Sequence, residues 1–82
     1  MNLQQAIEKY ATFCIYKEGC PFCENAVRLM PELVKLDHIE YKDISDEITA
    51  KFGHQTYPKI FVKGDFVGGF TDLKDKMDKN EL

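Results

Sequence analysis

Apolar and polar positions change their period several times along this chain, and each change marks a new element. Leu3, Ala6, Ile7 and Tyr10 recur at i, i+3, i+4 and i+7, the stripe of an amphipathic helix over residues 2–10. Ala11-Thr12 breaks the stripe, and Phe13-Cys14-Ile15-Tyr16 reads as a compact apolar strand leading into Lys17-Glu18-Gly19, where a glycine suits a sharp turn. From Pro21 to Leu36 the residues Phe22, Ala26, Leu29, Leu33 and Leu36 keep a helical period, with Pro21 in the first turn, where proline is tolerated. Pro31 falls inside this run. It cannot donate to the carbonyl of Val27, so the pattern predicts one kinked helix rather than two.

Ile39-Glu40-Tyr41-Lys42-Asp43-Ile44 alternates as a strand does, and Ser45 then caps a short helix that runs to Phe52 and ends at Gly53. Lys59-Ile60-Phe61-Val62, a Lys63-Gly64-Asp65 turn and Phe66-Val67 form a hairpin. After Gly68-Gly69-Phe70, Thr71 or Asp72 caps a last helix with Leu73 and Met77 on its inner face. A strand, crossover helix, strand unit implies a parallel, right-handed pair, and the hairpin adds antiparallel strands. The expectation is a small mixed sheet covered by helices.

A chain of 82 residues, 44% apolar and 12% aromatic, holds one modest core, so residues 1–82 are read as a single domain. Eleven basic against fourteen acidic side chains give a net charge of −3 with no basic block, which argues against a nucleic-acid partner. Met1-Asn2-Leu3-Gln4-Gln5 lacks the features of a signal peptide and no apolar stretch is long enough to span a bilayer. The expectation is a soluble, cytoplasmic monomer without a membrane partner, and the ending Lys79-Asn80-Glu81-Leu82 is read as a coincidental likeness to a retrieval signal.

Against this background Cys20-Pro21-Phe22-Cys23 stands out: a C-x-x-C that follows an apolar strand and begins a helical pattern. Two thiols at a helix start can reach one sulfur centre, and the unpaired N–H groups there, with Lys17 close by, favour a thiolate. Cys20 is then the nucleophile and Cys23 the resolver. Three cysteines cannot all pair, and Cys14, inside the apolar strand, reads as a core thiol. His38 and His54 are isolated and are assigned ordinary local roles, and no metal is expected.

Four motifs together resemble a dithiol glutaredoxin over essentially the whole chain: Lys17 ahead of Cys20-Pro21-Phe22-Cys23, then Thr56-Tyr57-Pro58, Gly68-Gly69 and Thr71-Asp72. A lone C-x-x-C is shared with zinc and haem sites, whereas this set at these separations is specific. The resemblance implies a thioredoxin-like fold, with a four-stranded mixed sheet flanked by helices on both faces. It also implies a cis bond before Pro58, although trans is the base expectation for X–Pro. The implied activity is glutathione-dependent reduction of glutathione mixed disulfides through Cys20 alone and of protein disulfides through both thiols.

Glutathione carries two carboxylates and a peptide backbone, so its site needs a cation, a helix N-terminus and an open strand edge. By resemblance Lys17 and Gln55 hold the glycine carboxylate, while Thr56, Tyr57 and Pro58 offer backbone to the cysteinyl unit. Phe22 forms an apolar wall, and Gly69, Thr71 and Asp72 receive the γ-glutamyl end. Simple capping explains the side chains of Thr71 and Asp72 equally well, and a strand-ending turn explains Gly68-Gly69. The implied partners are glutathionylated and disulfide-containing proteins, with ribonucleotide reductase a candidate.

The chain departs from the pattern of the family it resembles at three site positions. Phe22 stands where Tyr is common, Tyr57 where a small Val is usual, and Gln55 where Arg is frequent, which weakens carboxylate binding relative to a bidentate cation. Two other readings stay open: a redoxin recharged by a flavoprotein reductase, and a metal site in which Cys20 and Cys23 bind zinc with His54 or Cys14, or share an iron–sulfur cluster between subunits.

Overall fold

A computed structural model describes residues 1–82. The elements follow in the order α1 (Leu3–Tyr10), β1 (Phe13–Tyr16), α2 (Pro21–Leu29), β2 (Val34–Asp37), α3 (Lys42–Phe52), β3 (Lys59–Val62), β4 (Asp65–Gly68) and α4 (Phe70–Asp78). The strands form one sheet in the order β2-β1-β3-β4. β1 runs parallel to β2 with Phe13 opposite Val34, and antiparallel to β3 with Phe13 opposite Phe61.

Strand alternation divides the core in two. Phe13, Ile15, Leu36 and Phe61 meet Leu3 and Ala6 of α1 and Ile44 and Ile48 of α3 on one face. Cys14, Ile60 and Val62 point the other way and meet Ala26 of α2 and Leu73 of α4, with Met30 and Leu33 alongside. Helices thus cover both faces, and each buried Leu, Ile or Phe contributes roughly 1.5–3 kcal/mol relative to exposure. β1, the strand that leads to the dithiol, is an inner strand, buried from Phe13 to Ile15.

Two expected elements are placed differently. The helix expected over Pro21–Leu36 ends at Leu29, and Met30, at φ −131° and ψ 86°, has already left helical geometry. The ring of Pro31 disfavours the α region for the residue before it, and the helix stops where a kink was expected. Leu33 and Leu36 keep their burial, but Leu36 lies in β2, paired with Ile15. The strand is therefore Val34–Asp37 and not residues 39–44. Its end is chemical: the Asp37 carboxylate accepts from the N–H groups of Ile39 and Glu40, both at 3.1 Å, and closes an Asx turn. Ile44 pairs with Ile48 at helical spacing, and Ser45, expected as a cap, lies inside α3 at 2% exposure.

Gly53 ends α3 in the left-handed region as expected, at φ 71°. The hairpin also forms, with Lys63 and Gly64 both at positive φ, the signature of a two-residue turn matched to strand twist. At α4 the cap is Gly69, not Thr71 or Asp72; Asp72 accepts from the Gly69 N–H at 2.9 Å from the third helical position. Leu73 is buried, whereas Met77 is exposed.

Candidate functional site

β1 ends at Tyr16 on the sheet's central line, and the chain then turns back on itself: the Cys20 N–H donates to the Lys17 carbonyl at 3.1 Å. Gly19 permits this turn at φ 83°, a conformation that a Cβ would strain. Cys20 emerges as the N-cap of α2 with Pro21 in the first turn, so the sulfur lies at the positive end of the helix. It is partly exposed, while Cys23, one turn inward, is wholly buried. Burial above all pushes the Cys23 thiol up to about 12; the Cys20 side chain beside it acts the same way and the Lys17 backbone N–H acts against it. The deeper sulfur thus carries its proton at neutral pH.

Facing this pair is the strap between α3 and β3. Its Tyr57–Pro58 peptide bond is cis, and the Cys20 thiol donates to the Tyr57 carbonyl at 3.7 Å. Pro58 lies buried under the strap, and Thr56 and Tyr57 form its outer surface. Two hollows meet there. One, of about 350 Å³, is lined by Lys17, Glu18, Gly19, Cys20, Thr56 and Tyr57. The other, of about 300 Å³, is lined by Thr56 and Tyr57 again, with Phe22, His54, Gly69, Phe70, Thr71 and Asp72. The shared strap makes them one trough, with Cys20 on one side of the strap and the start of α4 on the other.

Most of the residues singled out from the sequence therefore come together: Cys20, Lys17, Phe22, Thr56, Tyr57, Gly69, Thr71 and Asp72 line the trough, with Cys23 beneath. Gln55 is exposed and lines neither hollow. Tyr57 is half-buried, and its phenol is 3.0 Å from the hydroxyl of Ser45. The paired glycines separate in role. Gly68 has φ 120° and a side chain there would run into Asp72, whereas Gly69 caps α4 and borders the trough.

Phe70 was not singled out from the pattern, and His54 entered only as an ordinary local residue or a third zinc ligand; both border the trough. The Nε2 of His54 lies 3.3 Å from the Pro58 carbonyl and 3.3 Å from the Thr56 hydroxyl, a local hydrogen-bonding role that also puts the ring on the trough wall. Phe70 packs at a tilt on Phe22 with 6.3 Å between ring centroids. The only sequence signals were His54 two positions before Thr56 and an aromatic after the glycine pair. Cys14 is enclosed in the core, where burial pushes its thiol up to about 12. No group of three His, Cys, Asp or Glu side chains converges as a metal-ligand set would.

Residues 7–67 match the family model described as Glutaredoxin. The bovine protein named glutaredoxin-2, mitochondrial is 32% identical over 78 residues, an alignment covering 87% of this chain and 50% of that one. The chain spans about half the length of such mammalian relatives. Among solved structures, a dithiolic glutaredoxin of Trypanosoma brucei brucei superposes with a TM-score of 0.85 at 23% identity, covering 98% of this chain and 90% of that one. A buckwheat glutaredoxin solved as a glutathione complex gives 0.85 at 20% identity, covering 96% and 78%. These likenesses establish the thioredoxin-like fold, a four-stranded mixed sheet flanked by helices. With a family model matching more than half its length and a relative above 30% identity, the chain belongs to the glutaredoxin family.

Proposed function

We propose that this chain is a glutathione-dependent thiol–disulfide oxidoreductase that reduces glutathione mixed disulfides and protein disulfides. The observation that carries the reading is the unequal pair of sulfurs at one helix start: Cys20 open to a trough, Cys23 enclosed behind it and held as a thiol. A nucleophile must meet its substrate, whereas a resolver must wait.

In the first step the Cys20 thiolate attacks the glutathionyl sulfur of a mixed disulfide. A Cys20–glutathione disulfide forms, and the substrate leaves as its thiolate. A second glutathione thiolate then attacks the glutathionyl sulfur, releasing glutathione disulfide and restoring Cys20. With a protein disulfide, the Cys20 thiolate first attacks one substrate sulfur, breaking the substrate's S–S bond and forming a Cys20–substrate mixed disulfide; Cys23 then attacks Cys20, its proton passing to the departing substrate thiolate, and leaves a Cys20–Cys23 disulfide that two glutathiones reduce.

The trough supplies what a tripeptide with two carboxylates needs. Lys17 meets the glycine carboxylate at one end, and the backbone of Tyr57 pairs with the cysteinyl unit in the middle. The α4 N-terminus around Gly69 and Thr71 receives the γ-glutamyl carboxylate, with Asp72 facing its amino group and Phe22 forming the apolar wall. Asp72 already spends one oxygen on the Gly69 N–H, so capping and ligand contact share one carboxylate. Gln55 is read as an outlying contact to the glycine carboxylate. A buckwheat relative of the same fold has been solved with glutathione, which supports the ligand assignment. Glutathionylated and disulfide-bonded proteins are the proposed partners, ribonucleotide reductase among them, with the chain acting as a cytoplasmic monomer.

The test is glutathione-coupled reduction of a small mixed disulfide, followed through NADPH and glutathione reductase, for wild type, Cys20→Ser and Cys23→Ser. Loss of turnover in the first variant with most of it kept in the second is the expected result. A folded wild type without turnover would falsify the assignment.

A further inference from the structure

Lys59 opens β3 on the side covered by α1 and α3, and is only 1% exposed. A buried ammonium is costly unless its donors are satisfied. Here Nζ donates to the carbonyl of His54 at 2.9 Å and to that of Thr56 at 3.1 Å, and lies 4.3 Å from the centroid of the Tyr57 ring. Lys59 therefore grips the strap from inside at three points, while the outer side of the same strap lines both hollows. The Tyr57 ring is fixed at its far end as well, by the hydroxyl of Ser45.

The grip has a directional consequence. In a trans peptide unit the carbonyl and the N–H point to opposite sides of one plane. The Thr56 carbonyl and the Tyr57 N–H belong to one such unit. Because the carbonyl is drawn inward to the ammonium, the N–H is turned outward, and it has no hydrogen-bond partner within the chain. On the next unit the Tyr57 carbonyl faces Cys20.

We propose that Lys59 is a positioning residue for the tripeptide: it holds the Thr56–Tyr57 peptide so that the Tyr57 N–H is offered to the backbone of glutathione beside Cys20. This rests on the glutathione reading above and assigns its orientation to a residue that never touches the ligand. Burial lowers the pKa of this ammonium, and the Asp46 carboxylate on α3 acts against that shift.

Lys59→Met, which fills the space without donors, and Lys59→Arg, which keeps the cation, separate the possibilities. Two quantities are measured: KM for glutathione in the coupled assay, and the rate at which iodoacetamide alkylates Cys20, a reaction with no need of the Tyr57 N–H. Lys59→Met is expected to raise KM about tenfold, the worth of one well-made hydrogen bond, with alkylation changed less than about twofold. Lys59→Arg is expected to recover most of the loss. If Lys59→Met does not fold, Lys59→Gln, too short to reach both carbonyls, is expected to show the same split. An unchanged KM in the folded variants, or equal losses in KM and alkylation, overturns the positioning role. A wild type that alkylates normally but shows no glutathione turnover overturns the glutathione reading, and the positioning role with it.

Discussion

The Asp72 carboxylate occupies the space that a side chain on Gly68 would need. Gly68 also sits at φ 120°, where residues with a Cβ are strained. Gly68→Ala is expected to lower stability by about 1–3 kcal/mol and to displace the carboxylate that accepts from Gly69. Gly69→Ala, at φ −96° and with only the His54 ring and the Pro58 carbonyl at ordinary contact, is expected to cost less. Urea unfolding of the two variants ranks them, and equal losses would refute the distinction.

Alkylation should read the burial of the three thiols directly. Cys14 and Cys23 are enclosed and pushed up to about 12, while Cys20 is partly open. Iodoacetamide at neutral pH is expected to add to Cys20 alone in the reduced, folded chain and to all three thiols in denaturant. Mass spectrometry counts the adducts; a second adduct under native conditions would contradict the burial of Cys23.

The same two thiols set a pH dependence of stability. Each is raised from 9.0 to about 12 in the folded chain, so between those values the unfolded chain has lost protons that the folded chain keeps. Stability is whole below pH 9 and falls above it, at about 1.4 kcal/mol per pH unit for each thiol. Lys59, lowered from 10.5, has the opposite sign: its folded form loses its proton first, so stability gains as pH approaches 10.5. Two thiols outweigh one lysine, and Cys14→Ala is expected to flatten the alkaline fall by the share of one thiol. Urea midpoints at pH 8 and pH 10 for wild type and variant measure it, and parallel slopes would count against it.

The hydrogen bond between Ser45 and Tyr57 joins α3 to the strap. A double-mutant cycle with Ser45→Ala and Tyr57→Phe is expected to show a coupling of about 1 kcal/mol. A coupling near zero would mean that the phenol does as well with water.

The dithiol, its helix start and the hairpin were legible because each depends on local chemistry: proline at a first helical turn, a two-residue turn rich in glycine, an apolar strand. Leu33 and Leu36 misled because they satisfy a helical period and a strand equally, and only the restriction that Pro31 places on Met30 decides between them. Ile39 looked like a strand residue, yet it is 72% exposed in a turn held by Asp37. The places of His54, Phe70 and Lys59 beside the trough were not legible for another reason. Their places depend on the approach of the strap to α4 and on which face of β3 Lys59 takes, relationships no single stretch of sequence encodes.

Cys23 has no exposed surface and Cys20 has some, so any molecule joined to this chain through sulfur hangs from a single point at the tip of α2. The enclosed sulfur is then the one internal group placed to release such an adduct. However tightly the visitor grips the trough, its departure waits either on a small thiol slipping in beside it or on a brief loosening of one helical turn that lets the enclosed sulfur reach across. Affinity for the trough sets neither of these two exits.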